Sequence, residues 1–391
     1  MSRRSRVVWD EDFVRYDFGE GHPMAPLRID LTARLCRDLG LFDHVDVVTA
    51  GVASDELLRT VHTQGLVDAV RQASTDPLTE VGRGIGGADT PAFLGMHESA
   101  ARVFQGSVDL ARAIAVGDID HGVNFAGGLH HATADAASGF CVYNDCAGAI
   151  QALLDGGVER VVYVDTDVHH GDGTESIFWD EPRVTTVSIH ESGRTLFPGT
   201  GYPTDVGGPR AQGSAVNVPL PAGTGDAGWL RAIHAVVLPV VREVRPQVLV
   251  TQHGCDTHVL DPLAHLRVSV DGQRAAAVLM HEIAHEHAQG RWLALGGGGY
   301  ELVDVVPRAW AHLVGVAAHA PVDPTTAVPQ SWLEHVTAIL GQPGPSRMTD
   351  GEHAGFAGWE SGYDPADPVD QTVMATRKAV FPLLGLDPWF D

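Results

Sequence analysis

Cysteine is scarce in this chain of 391 residues: Cys36, Cys141, Cys146 and Cys255 are all there are, and no two form a C-x-x-C pair. Cysteines so few and so scattered exclude a disulfide framework and fit a reducing cytoplasm. Positive charge is short as well, with 26 Lys and Arg against 50 Asp and Glu and a formal net charge of -24. That balance repels phosphate backbones and anionic lipid headgroups, so neither nucleic acid nor a membrane surface is expected as a direct partner. No apolar run approaches the roughly 18 residues needed to span a bilayer. The opening stretch MSRRSRVVWDEDF carries basic residues but lacks the apolar core of a secretion signal, so a cytoplasmic location is expected.

Apolar residues make up 44% of the chain, enough for a sizeable core in one large α/β domain or two ordinary ones. Histidine is abundant: 21 residues, many paired or set beside acids and glycines, as in LHHAT, VDTDVHHGDG and TQHGCDTH. Such clusters raise the prospect of metal or acid–base chemistry.

Short β-branched runs at 161–167, 185–192, 247–256 and 291–300 end in polar or glycine-rich segments, and helical patterns lie between them, for example at 226–243 and 273–288. Continuous apolar strands alternating with helices predict an α/β fold with an open, mostly parallel sheet covered on both faces. Ligands in such folds bind beyond the carboxyl ends of the strands, where these clusters sit. Residues 71–93 read as a long surface loop of the kind that rims a site. The composition turns Pro-, Gly- and acid-rich beyond about residue 320. This predicts a domain over 1–320 and an irregular extension over 321–391, packed on the same domain, with a short helix near 371–384.

In YVDTDVHHGDG, Asp167 and His169 are two apart, so an extended backbone points both to one side. A carboxylate and an imidazole supply two ligands of a three-ligand site with an open position, and Asp256, in the tight turn after VLVTQ, is the best third. An isolated D-x-H is usually a solvated loop. Here Asp165, Asp167, His169, His170 and Asp172 crowd into eight residues, which a purely structural loop rarely needs. The tandem His130–His131 follows Gly127–Gly128, and adjacent side chains diverge, so the two imidazoles should play different parts with Asp165 and Asp172 as spare acids to orient them. In LGGGGY, four glycines deliver Tyr300, whose phenol suits a developing oxyanion.

A second pattern competes. His281, Glu282 and His285 spell H-E-x-x-H, the zinc-peptidase motif. Helical periodicity puts Ala276, Leu279, Met280, Ile283 and Ala284 on one side of 273–288 and the two histidines on the other, which predicts a water-facing surface. The third peptidase histidine would have to stand at position 291, which is Arg291. The motif is therefore read as chance.

The motifs AGGLHHA, GFCVYND, VVYVDTDVHHGDGT, VSIHESG, FPGTG, CDTHVLDPL and LGGGGY stand in the order and spacing of the zinc-dependent histone deacetylase superfamily. From GHPMAPLR (21–28) through Tyr300 the chain resembles that family, and it is most similar to its bacterial acetoin-utilisation (AcuC-type) members. The resemblance implies the arginase/deacetylase fold, with Asp167, His169 and Asp256 as zinc ligands. It makes His130 and His131 the proton-transfer pair, backed by Asp165 and Asp172, and Tyr300 the catalytic tyrosine. Phe140 and Phe197, with Gly139, would line an acetyl-lysine tunnel, and Asp89 would grip the substrate backbone at its rim. A structural potassium ion is implied near Asp165, Asp167, His169, Ser188 and Ile189.

The implied activity is hydrolysis of the acetyl group from the ε-amine of lysine in a protein or peptide, with acetyl-CoA synthetase as the type of target that the AcuC resemblance suggests. Iron(II) is an alternative to zinc for such a ligand set. Hydrolysis of an acetylpolyamine or another small acetylated amine is the alternative reaction. An arginase-like pair of manganese ions fits less well because His258 stands where a further carboxylate is needed. A non-catalytic binding module fits less well because no catalytic position is missing.

Overall fold

Eight short segments form one parallel sheet in the computed structural model, which describes residues 4–391. The strands are β1 (Ser5–Val8), β2 (Asp46–Val48), β3 (His121–Asn124), β4 (Val161–Asp165), β5 (Val184–Glu191), β6 (Ala215–Leu220), β7 (Val248–Gln252) and β8 (Trp292–Leu295). Their order is β2-β1-β3-β8-β7-β4-β5-β6 and every pairing is parallel, so all carboxyl ends emerge along one edge. Strands β3 to β8 are buried on both faces, which is why β4, β7 and β8 read as largely apolar runs rather than alternating ones. The expected open α/β sheet is found, flanked by helices on both faces, as in the arginase/deacetylase fold.

The helices lock the loops that matter. Asn144 caps the helix Asp145–Asp155 through Ala147 N–H at 2.8 Å, while its Nδ2 donates to the His130 and Ala132 carbonyls at 3.0 and 2.9 Å. The helix start and the tandem-histidine loop thus share one side chain. The helix Val270–His287 begins at a Ser269 cap, earlier than its apolar period suggests. Its inner side carries Ala276, Met280, Ile283 and Ala284 as expected, with Leu279 only partly buried. His281 and His285, however, do not form a water-facing surface. They are half-buried, and the His281 ring lies 5.7 Å from Trp292 and 5.1 Å from His121. The amino ends of β3 and β8 fill the space that periodicity alone assigns to solvent.

The extension is more ordered than its composition suggests. A helix Gln330–Leu340 docks Trp332, whose indole N–H donates to the Leu31 carbonyl at 2.9 Å. The last helix is Pro368–Leu384, 17 residues long and three residues longer at its start than expected. Pro368 sits in its first turn, where proline's missing N–H costs nothing. That helix covers the edge strand β6, with the Thr376 hydroxyl donating to the Asn217 carbonyl at 2.5 Å, and so blocks edge-to-edge pairing. Residues 71–93 are a loop only beyond Thr75, where the helix Gln64–Thr75 ends.

Arg231, 9% exposed, pins the extension through a bidentate pair with Asp370, 1% exposed, at 2.6 and 2.8 Å, and also donates to the Ala357, Gly358 and Gly362 carbonyls. Asp370→Ala should leave that guanidinium buried without its counter-ion and cost about 3 kcal/mol in urea denaturation. Three buried histidines set a pH dependence. Burial holds His62 down to about 4, His253 down to about 3 and His312 down to about 4. An unfolded histidine takes up its proton near pH 6.5. Stability from these groups is therefore fully present above that pH and falls by roughly 1.4 kcal/mol per pH unit per histidine as pH drops toward 4. Followed by NMR from pH 7 to pH 5, the three imidazoles should keep the signals of neutral rings, and titration near pH 6.5 would mean that they take up protons in the fold.

Candidate metal centre and its histidine pairs

Loops from the carboxyl ends of β3, β4, β7 and β8 meet in one place. His169 Nδ1 stands 3.1 Å from Asp167 Oδ1 and 3.1 Å from Asp256 Oδ2. One donor atom from each residue lies within 4.8 Å of the other two, and all three side chains are buried. The outward oxygens are already engaged. Asp167 Oδ2 accepts from Gln252 Nε2 and from the Gly298 N–H, both at 2.8 Å, and Asp256 Oδ1 accepts from the Val168 N–H at 3.0 Å. The inner oxygens therefore converge with the imidazole, although Asp167 Oδ1 also takes the His169 N–H at 3.0 Å.

Such crowding of buried acids is costly by itself. Burial and the Asp167 charge push Asp256 up to about 6. Burial opposes a charge on His169, yet its hydrogen bonds to both carboxylates lift it to about 10. A cation satisfies all three at once, and two carboxylates with one imidazole suit zinc or iron(II). Glycines make the room: a Cβ on Gly298 would lie 1.9 Å from Asp256 Oδ2, and one on Gly254 would lie 2.0 Å from Asp167 Oδ2. The donor set thus fits a divalent ion.

Beside it stand two imidazole–carboxylate pairs. His130 Nδ1 meets Asp165 Oδ2 at 2.7 Å, and His131 Nδ1 meets Asp172 Oδ1 at 2.6 Å. Their proton affinities are driven apart. Burial opposes protonation of His130, but the Asp165 and Asp167 charges raise it to about 9; burial and the neighbouring His130 lower His131 to about 4. The two rings thus differ in their affinity for a proton. Tyr300 lines the same cavity, and burial followed by the Asp256 and Asp167 charges keeps its phenol protonated.

The aromatic residues abut this centre. Phe140 meets Tyr300 edge-on at 5.7 Å between ring centres, and Phe197 meets His131 at 5.1 Å. Phe140 holds a left-handed backbone (φ 67°) next to Gly139 (φ 52°), and Asp89, on the exposed rim, accepts the Gly139 N–H at 2.8 Å. For the potassium set, the register puts Asp165 beside Ser188, with Ile189 next in β5. Asp165 Oδ2 is also taken by the Tyr163 hydroxyl at 2.6 Å. His258, in the arginase comparison, is bound instead to Asp350 at 2.9 Å, which withdraws it from the centre.

Four supporting residues were assigned no role from the sequence, although Arg28, Asp145 and Asp261 stand within GHPMAPLR, GFCVYND and CDTHVLDPL. Gln252 orients Asp167, and Asp145 accepts the Gly128 and Leu129 N–H groups, fixing the tandem-histidine loop. Asp261, raised to about 8 by burial and Asp256, accepts the Tyr300 N–H at 2.9 Å. Arg28, buried, donates to the Gly297 carbonyl at 2.7 Å. Each is an ordinary polar residue until strands distant in sequence are paired. Outer partners of metal ligands typically contribute 10–100-fold to affinity. Gln252→Leu should weaken metal binding by about that factor in a competitive chelator titration while leaving the circular dichroism spectrum unchanged.

Residues 22–317 match the family model described as the histone deacetylase domain. Among curated proteins, the chain is 40% identical over 334 residues to the acetoin utilization protein AcuC of Bacillus subtilis (strain 168), covering 85% of this chain and 86% of that one. It is 36% identical to the AcuC of Staphylococcus xylosus (85% and 87% covered) and 34% identical to that of Staphylococcus aureus (strain MSSA476) (89% and 90% covered). In sequence as in architecture, the chain belongs to the histone deacetylase family.

Proposed function

We propose that this protein is a metal-dependent lysine deacetylase that hydrolyses the acetyl amide on the ε-amine of lysine in proteins or peptides. The observation that carries the reading is the pair of His–Asp couples, His130–Asp165 at 2.7 Å and His131–Asp172 at 2.6 Å, beside the convergent Asp167, His169 and Asp256 atoms. These three residues would hold zinc, with iron(II) as the alternative occupant. A divalent ion there supplies Lewis-acid polarisation of the acetyl carbonyl.

The chain's own groups do the rest. His131, neutral and oriented by Asp172, takes a proton from water as the water oxygen bonds to the acetyl carbon. Tyr300 donates to the developing oxyanion. The amide C–N bond then breaks as the proton held by His131 passes to the leaving nitrogen, giving acetate and the free amine and restoring the neutral ring. His130, already charged through Asp165, adds positive potential to the site. Phe140 and Phe197 would flank the lysine stem, Gly139 gives it room, and Asp89 would fix the substrate backbone at the rim. Potassium near Asp165, Asp167, His169, Ser188 and Ile189 would brace the ligand loop. Residues 1–320 are read as the catalytic unit, 321–391 as its extension, and the cytoplasm as its place of work. No helix among the described residues is long and apolar enough to cross a membrane. An acetylated metabolic enzyme such as acetyl-CoA synthetase is the type of target proposed.

Tyr300→Phe should lower kcat on an acetyl-lysine peptide by roughly 100–1,000-fold and His131→Ala by at least roughly 100-fold. Wild-type rates on acetyl-lysine peptides, acetylpolyamines and arginine, measured side by side, test the substrate. A clear preference for an acetylpolyamine would overturn the protein-lysine assignment, and unchanged rates in both variants would overturn the mechanism.

A further inference from the structure

The amino-terminal edge of the sheet, opposite the catalytic loops, gathers four imidazoles from three separate parts of the chain. His121 opens β3, His281 and His285 lie one turn apart on the helix Val270–His287, and His319 stands just after the helix Val306–Ala317. One ring nitrogen from each lies within 4.8 Å of those of the other three. We propose that these four histidines form a second metal site, a structural one, for a divalent transition-metal ion of the zinc class.

Three features support this. The Nε2 atoms of His281 and His285 are 3.1 Å apart, close to the about 3.3 Å edge of a tetrahedron built on Zn–N bonds of about 2.0–2.1 Å. His121 Nδ1 lies 2.8 Å from the Ala317 carbonyl, which can only accept, so Nδ1 carries the hydrogen and Nε2 keeps its lone pair. A second-sphere carbonyl that sets the tautomer in this way is the usual companion of a ligating histidine. His319 holds a left-handed backbone (φ 56°), a conformation that costs an ordinary residue about 1 kcal/mol or more, and its ring lies 4.6 Å from that of His121 and 5.0 Å from that of His281.

The surroundings fix the rings. Trp292, which pairs with His121 across β3 and β8, lies 5.7 Å from both the His121 and His281 rings. At Gly290 a Cβ would come within 2.9 Å of His285 Nδ1, so that ring is packed against bare backbone. The burial is graded, with His121 enclosed, His281 and His285 half-buried and His319 exposed, and this gives an ion a path in from solvent. Four protein nitrogens complete a tetrahedral shell and leave no position for water, the pattern of a structural rather than a hydrolytic site. The H-E-x-x-H stretch would thus hold metal without being a peptidase motif. Imidazole ligands suit zinc, nickel and copper(II), and zinc has no geometric preference that the rings must be strained to meet.

Metal analysis of the full chain, stripped with chelator and reloaded with zinc, tests the proposal. Wild type should carry two zinc ions per chain, His281→Ala/His285→Ala one, and Asp167→Ala/Asp256→Ala one. Zinc should raise the Tm of the Asp167→Ala/Asp256→Ala variant, because the remaining ion would be bound by the four histidines. His319→Ala, at the exposed corner, is the milder variant if the double change prevents folding, and it should weaken the second equivalent at least tenfold with an unchanged circular dichroism spectrum. Zinc content in His319→Ala and in His281→Ala/His285→Ala equal to wild type would overturn the site. So would an Asp167→Ala/Asp256→Ala variant that binds no zinc and shows no Tm shift with it.

Discussion

The whole active edge depends on keeping two carboxylates, Asp167 and Asp256, buried within reach of one imidazole. Buried like charges are unstable unless something compensates them. Here the chain compensates the outer oxygens with Gln252 Nε2 and the Gly298 and Val168 N–H groups, so that only the inner ones point to a common centre. The parallel sheet makes that possible. Because β4, β7 and β8 run the same way, their carboxyl ends present a carboxylate, a second carboxylate and a glycine loop side by side, and the glycines let backbone amides approach where a side chain would collide. The electrostatics of the neighbouring histidines follow from the same crowding. His130 sits near Asp165 and Asp167 and holds a proton; His131, next to that positive charge, does not.

Much of this was legible in the chain itself, for a physical reason. The strands that lead into the centre are buried on both faces, so most leave short runs that do not alternate, and each leads into a cluster of His, Asp or Gly that stands out against its surroundings. Asp167 and His169 were readable from local geometry, since two residues in an extended segment share a side. Asp256, Tyr300 and the histidine pair were found because each abuts a glycine-rich turn. Arg28, Asp145 and Asp261 stand in recognisable motifs and Gln252 ends a strand, but their roles exist only across contacts that no local pattern encodes.

Two features of the fold depart from what local pattern predicts. Helical periodicity sorts residues by side but says nothing of what stands there, so His281 and His285 looked solvated although the amino ends of β3 and β8 cover them. Prolines in the extension suggested irregularity. At Pro329 and Pro368 they instead stand where helices begin, and the aromatic and aliphatic residues after them pack down.

The parallel order has one further outcome. His130, Asp167, Asp256 and Tyr300 come from four stretches of chain that meet only after β3, β8, β7 and β4 have found their neighbours. Contacts this distant in sequence cost loop-closure entropy before they reward it, which slows folding. No fragment ending before residue 300 can hold all four of these residues, so their grouping is complete only once the chain has been made past β8.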